Sequence, residues 1–98
     1  MQIAETVRLR LERIRPTLSK LLKKCDRILE FMRRQKQINE ADYQYVRSTE
    51  EEVEMNDRLI QILIRGTEQS YQYFVNCLRE TNQTIIALYL ERGKNCLI

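Results

Sequence analysis

Apolar residues recur at intervals of three and four along almost the whole chain, the spacing of one face of an α-helix. The first such stripe consists of Ile3, Val7, Leu11, Ile14, Leu18 and Leu21. Similar stripes follow it, and no stretch shows the sustained alternation that a β-strand would require. The pattern therefore predicts an all-α protein in which six short helices form an antiparallel bundle.

The first predicted helix contains the only proline of the chain, Pro16. Proline lacks a backbone N–H, and its ring collides with the carbonyl one turn earlier, at a cost of roughly 3 kcal/mol in a helix interior. Because the apolar stripe keeps its register across Pro16, we predict that the helix is kinked near this residue and does not end there. Such a bend can serve packing alone.

The next three helices have recognisable ends. Asp26 is expected to be a cap or a first-turn acid of the second helix, and Asn39 is expected to cap a short third helix. Ser48 or Thr49 should cap the fourth helix, with three glutamates in the first turn, where the helix dipole favours negative charge. Gly66 should end this helix.

The fifth helix corresponds to the stretch EQSYQYFVNCLRE and the sixth to QTIIALYLER, which Gly93 should close. The positions expected to be buried in the last three helices are Val53, Leu59, Ile60, Leu63, Ile64, Tyr71, Phe74, Val75, Cys77, Leu78 and Tyr89. We predict that Leu18, Leu29, Leu59, Phe74 and Leu78 share one core. A chain of 98 residues suffices for one such core, so a single domain over residues 1–98 is expected.

The composition argues against several kinds of chemistry. The chain has no histidine, and its three cysteines (Cys25, Cys77 and Cys96) lack the CxxC spacing of a zinc site. It also lacks glycine-rich phosphate loops and hydrolase motifs, and no apolar run approaches the roughly 18 residues of a membrane span. We therefore expect reduced thiols, a cytoplasmic location, no metal, no cofactor, no membrane span and no enzymatic activity.

Charge is distributed unevenly along the chain. Residues 1–36 carry a net charge of +7, residues 37–64 a net charge of −5, and the remainder +1. A segment so positive repels itself and requires a counter-charge, either a nucleic acid or anionic lipid, or the acidic middle of another copy or partner. Because the tyrosines are not interleaved with the basic residues, specific nucleic-acid binding is not expected.

Two tracts resemble a known family. The stretch RLIQILIRGTEQSYQYFVNCLRETNQTIIALYL and the stretch ILEFMRRQKQINEADYQYVRS are similar to helices of the caspase recruitment domain (CARD), a member of the death-fold superfamily. The resemblance covers about residues 5–92 and rests on apolar spacing. It implies a Greek-key bundle whose first helix is bent into two pieces, with Pro16 in the first turn of the second piece.

The resemblance also implies how the protein associates. CARDs join by laying a basic surface on helices 1 and 4 against an acidic surface on helices 2 and 3. Glu30 and Asp42 match acidic contact positions of the family, and Arg13 or Arg15 matches a basic one. Tyr43 and Gln44 depart from the family by replacing acids, and the start of helix 4, EEEVE, is acidic where the basic side of the family is basic.

The acidic surface is therefore expected to extend onto helix 4, leaving helix 1 alone as the basic surface. The predicted basic interface residues are Arg10, Arg13, Arg15, Lys20 and Lys24. The predicted acidic interface residues are Glu30, Glu40, Asp42, Glu50, Glu51 and Glu54.

The resemblance predicts a homotypic interaction module that recruits or assembles a caspase, a kinase or an adaptor in apoptotic or innate-immune signalling. Its partner would be another CARD-containing protein, further copies of the same chain, or both. Two alternatives remain. One is a helical domain that binds nucleic acid or anionic lipid through basic helix 1, and the other is a decoy that consists of a CARD alone and blocks assembly.

Overall fold

The computed structural model describes the backbone of residues 2–94 and the side chains of residues 2–91. These residues form six α-helices, which confirms the predicted fold class. The helices are α1 (Glu5–Leu21), α2 (Cys25–Arg34), α3 (Glu40–Arg47), α4 (Glu52–Arg65), α5 (Glu68–Glu80) and α6 (Thr84–Lys94). In the described part of the chain the only β-type pairing is an isolated bridge between Gln2 and Thr67.

Helix α1 runs through Pro16 without interruption. The prediction that the helix does not end at this proline is therefore confirmed. Pro16 lies in the interior of one helix and not in the first turn of a second piece, and its missing N–H leaves the carbonyl of Glu12 without its helical partner. Close by, the Ser19 hydroxyl donates to the carbonyl of Arg15 at 2.7 Å. Proline and this type of side-chain bond both favour bending, and the kink itself stays a prediction.

The buried faces of the helices meet in one apolar core. The five residues predicted to share it are at most 2% exposed, which confirms that prediction: Leu18, Leu29, Leu59, Phe74 and Leu78. At the end of α1, however, Leu21 is exposed and Leu22 is buried instead. The helix ends at Leu21 and the backbone becomes extended at Leu22, which turns the Leu22 side chain inward.

Helix α3 begins as predicted, and α4 does not. The side chain of Asn39 accepts a hydrogen bond from the backbone N–H of Asp42 at 2.7 Å, so Asn39 is the N-cap of α3. For α4 the N-cap is Glu51, and Ser48 instead ends α3. Thr49 contributes only a local bond, accepting from the Glu51 N–H at 3.3 Å.

The first turn of α4 consequently contains Glu52 and Glu54 in place of three consecutive glutamates. Gly66 is the C-cap of α4, as predicted, and its N–H donates to the carbonyl of Leu63. Asp26 lies in the first turn of α2, the second of its two expected roles. Helix α6 continues through Gly93 to Lys94, so the expected end at Gly93 is wrong.

Two buried side-chain amides join distant parts of the bundle. In α4, the Asn56 amide donates to the carbonyls of Ser19 and Leu22, at 2.7 and 3.1 Å. Just before α6, the Gln83 amide accepts from the backbone N–H of Lys23 at 2.8 Å and donates to the carbonyl of the same residue at 2.7 Å. The end of α1 and the turn after it are thereby fixed to both α4 and α6.

Candidate functional site

The basic residues predicted on α1 divide into two groups. Arg10 and Arg15 bind other helices of the same chain. The guanidinium of Arg10 lies 4.5 Å from the centre of the Tyr89 ring and donates to the Tyr89 carbonyl at 3.2 Å. The Nε atom of Arg15 lies 3.0 Å from a carboxylate oxygen of Asp57. These two arginines stabilise the packing of α1 against α6 and α4. Their guanidinium groups are therefore less available for contacts with another protein.

The second group consists of Arg13, Lys20 and Lys24, which are exposed and form no ion pair with any described side chain. Arg13 and Lys20 are seven residues apart, so they lie on the same side of α1, two turns from one another. Lys24 follows the helix in a left-handed conformation, with φ of 57°. All three side chains therefore lie on the surface of the bundle.

The acidic residues predicted on α2 and α3 are partly neutralised within the chain. Glu30 accepts a hydrogen bond from the Tyr43 hydroxyl, and this bond raises the pKa of Tyr43. Glu40 lies 3.3 Å from Arg33 and also accepts from the Gln44 amide. Asp42 is half-buried, and its carboxylate forms no ion pair among the described residues.

Tyr43 shows why this surface is less acidic than the resemblance implies. Its side chain is buried, and two arginines lie over its ring, with Arg33 at 4.3 Å and Arg47 at 5.8 Å from the ring centre. Tyr43 thus lies between two cations at a position where the resemblance implies an acid. The α2–α3 surface therefore presents mixed charge, and Asp42 is its unpaired carboxylate among the three predicted there.

Unpaired negative charge is concentrated instead before and at the start of α4. Glu50 and Glu51 are exposed and form no ion pair with described residues, as is also true of Glu52. Glu54, by contrast, lies 3.2 Å from Arg58, one turn further along α4. Val53, which was expected to be buried, is 45% exposed. It lies in the first turn of α4, before the buried face of this helix begins at Met55.

Tyr71 and Tyr89 behave differently, although both were expected in the core. Tyr71 is buried, and burial raises the pKa of its hydroxyl to about 12. Tyr89 is 52% exposed, so its expected burial is wrong. The buried side of α6 passes through Ala87 and Leu90, which turns Tyr89 toward the edge of α1.

The thiols offer no reactive site in the described part of the chain. Cys77 is buried, as predicted, and Cys25 is buried as well. Burial raises the pKa of Cys25 to about 12 and that of Cys77 to about 11, so both are protonated at neutral pH and poorly nucleophilic. Cys96 lies outside the described residues.

Metal sites and membrane spans are both absent among the described residues. No group of three or more histidine, cysteine, aspartate or glutamate side chains among them is arranged to hold a metal ion. None of the helices formed by these residues combines the length and apolar character needed to cross a membrane.

Comparison with known proteins gave one clear match. The family model of the caspase recruitment domain matches residues 8–93, nearly the whole chain. Neither the curated proteins nor the solved structures gave a match. CARDs are protein-interaction domains and not a catalytic family, and the six-helix bundle is consistent with their death fold. The chain therefore belongs to the caspase recruitment domain family, whose members are homotypic protein-interaction modules.

Proposed function

We propose that this CARD recruits or assembles partners through the unpaired cations of α1, which meet unpaired carboxylates of another CARD. The partner is a further copy of this chain or a CARD-bearing caspase, kinase or adaptor in cytoplasmic apoptotic or innate-immune signalling. The observation that carries the proposal is that one small bundle presents unpaired charges of both signs on its surface. Among the described residues, the unpaired cations include Arg13 and Lys20 on α1 and Lys24 just after it, whereas the unpaired carboxylates include Asp42 in the first turn of α3 and Glu50 and Glu51 just before α4.

The contacts within the chain refine which residues carry the interface. Arg15 and Glu54 were predicted interface residues, but each has an intramolecular partner, at 3.0 and 3.2 Å. Recruiting either of them would require breaking that pair. Arg13 and Asp42 have no ion pair with a described residue to break, so substituting them tests the two surfaces most directly.

Several charge pairs must act together for the proposed contact to be stable. An exposed ion pair contributes only about 0–1 kcal/mol, whereas removing one partner of a desolvated pair at an interface costs about 2–5 kcal/mol. Association should therefore weaken as salt is raised and should be sensitive to reversal of a central charge. Light scattering after size exclusion, at low and physiological salt, measures both effects.

The decisive experiment combines two charge reversals, Arg13→Glu and Asp42→Arg. Each should abolish association and leave the helical signal and melting point nearly unchanged, because both side chains lie outside the core. Mixing the two variants should restore a one-to-one complex that does not grow, since each retains one matching surface. Arg27→Glu and Glu80→Arg, which reverse exposed charges outside the proposed surfaces, are the matched controls.

The result that contradicts the proposal is equally specific. If both reversal variants assemble like the parent chain, association does not involve these surfaces. If the mixture of two folded variants stays monomeric, the pairing of Arg13 with Asp42 is wrong.

A further inference from the structure

Helices α1 and α6 leave an apolar groove between them that the charge-based proposal does not use. The groove has a volume of about 300 Å³ and is lined by Ile14, Thr17, Leu18, Leu21, Ile85, Ile86 and Tyr89. Ile85 is 80% exposed, and Leu21 is 54% exposed. Large aliphatic side chains grouped at such exposure are characteristic of interaction surfaces.

The groove is held open by polar contacts at both of its ends. At one end, the Gln83 side chain accepts a hydrogen bond from the backbone N–H of Lys23 and donates one to its carbonyl. These bonds place the first turn of α6 beside the end of α1. At the other end, Arg10 lies over the Tyr89 ring and binds the Tyr89 carbonyl. The exposed side chains between these contacts are therefore positioned before any partner arrives, which lowers the entropic cost of binding.

The charge beside the groove is positive. Along α1, Arg13 lies one turn before Thr17 and Lys20 lies close to one turn after it, so both follow the edge of the groove. Lys23 and Lys24 follow at the end occupied by Leu21 and Ile85. The side chains of these four cations form no ion pair with the described residues, and the lining contains no acidic residue. A matching ligand thus combines carboxylates with an apolar side chain.

The same chain carries such a combination elsewhere. Residues 50–53 contain three consecutive glutamates, all exposed and outside every ion pair of the described residues, followed by Val53. Val53 is an exposed aliphatic side chain on an acidic surface. It therefore complements the groove, which has an apolar lining and a basic edge. We name residues 50–53 the acidic segment.

We propose that the α1–α6 groove of one copy binds the acidic segment of a second copy, with Val53 in contact with Ile85 and Leu21 and the glutamates beside Lys20, Lys23 and Lys24. This inference rests on the proposed homotypic function and adds to it an apolar contact that involves α6. The two patches are unlike, so the contact is heterologous, and successive copies form a chain unless the geometry closes.

The test removes the apolar part of the contact without changing charge. Ile85→Gln and Val53→Gln should each weaken self-association roughly tenfold, the effect of losing a buried aliphatic contact. Their folding should be unaffected, because both side chains are exposed in the monomer. Leu9→Gln is the matched control, since Leu9 is an exposed leucine of α1 that does not line the groove.

Combining the variants tests the pairing itself. In the doubly substituted chain, the second substitution should cause little further loss of self-association, because the first has already removed the contact. A mixture of the two single variants should form a one-to-one complex of parental affinity, because one variant retains the intact groove and the other retains the intact acidic segment. Strictly additive effects in the doubly substituted chain, or single variants that associate like the parent, would overturn the groove contact. The charge-based function would still stand if Arg13→Glu abolished association in the same assay, so the two failures are distinguishable.

Phosphatidylserine vesicles distinguish a membrane surface from a second copy. Loss of vesicle binding by Ile85→Gln, together with unchanged self-association, would overturn the proposal in favour of an anionic lipid surface. The proposal would be supported if Ile85→Gln weakened self-association and the parent chain showed no measurable binding to the vesicles.

Discussion

Asn56 is expected to be one of the most important polar residues for the stability of this bundle. It is 1% exposed, and its amide donates to the carbonyls of Ser19 and Leu22, at 2.7 and 3.1 Å. The last carbonyls of a helix have no partner within the helix, so Asn56 supplies one at the end of α1. Asn56→Ala removes both bonds and leaves two acceptors in a buried setting.

The expected loss follows from these contacts. Each hydrogen bond contributes about 1 kcal/mol net, and each buried acceptor left unpaired costs about 1–3 kcal/mol. The side-chain oxygen of Asn56 itself has no partner among the described residues, so its removal offsets part of this cost. We therefore expect Asn56→Ala to lower the free energy of unfolding by about 2–4 kcal/mol.

Urea unfolding followed by circular dichroism measures this loss. The matched control is Asn76→Ala, because Asn76 is exposed and its side chain only accepts from Arg79 within the same helix. Asn56→Asp should be at least as destabilising as Asn56→Ala, since it loses both donors and places a charge in the core. Equal stability of the Asn56→Ala and Asn76→Ala variants would refute the role assigned to this amide.

The core, a cap, the thiols and the surface charge give five further predictions. Phe74→Ala should cost about 3–5 kcal/mol, as expected for a fully buried aromatic, and a loss below about 1 kcal/mol would remove Phe74 from the core. Asn39→Ala should cost about 0.5–2 kcal/mol and should shorten α3, whereas unchanged amide protection there would contradict its capping role. In a Cys96→Ser background, a thiol reagent should label Cys25 and Cys77 only on unfolding. Because the pKa of Cys25 rises from 9.0 to about 12, the parent chain should lose stability as pH rises above 9.0, by more than a Cys25→Ala chain does. Finally, any binding to a short DNA duplex should be weak and steeply salt-dependent, and sub-micromolar, sequence-dependent binding at physiological salt would favour the nucleic-acid alternative.

Periodicity predicted the core well because it reports which side of a helix is apolar. Leu18, Leu59 and Phe74 lie at positions repeated over several turns, where the apolar side is unambiguous. At the margins the same rule failed, as Val53 and Tyr89 show. Val53 lies in the first turn of α4, and Tyr89 lies beside the buried line of α6, so neighbouring helices decide their exposure.

The candidate surfaces were less predictable, because charge pairs between helices depend on packing. The pair of Arg15 with Asp57 joins residues 42 positions apart, so it cannot be predicted from the spacing of charges along one helix. The bond between Tyr43 and Glu30 is of the same kind. The pair of Glu54 with Arg58 could have been read from the sequence, since four residues separate the two along one helix. Asn56 and Gln83 gave no signal, because buried amides look like surface amides in a sequence.

The two hydrogen bonds between Gln83 and Lys23 make one backbone amide a probe of how α6 is docked onto the bundle. This double contact joins residues 60 positions apart in the sequence, so forming it carries the entropic cost of closing a long loop. The Lys23 N–H lies in a turn, where amide hydrogens usually exchange rapidly with solvent. Here its exchange rate should instead report the docking of α6. The exchange rate of this single amide would therefore measure how often α6 separates from the end of α1, which is the opening that would dismantle the α1–α6 groove.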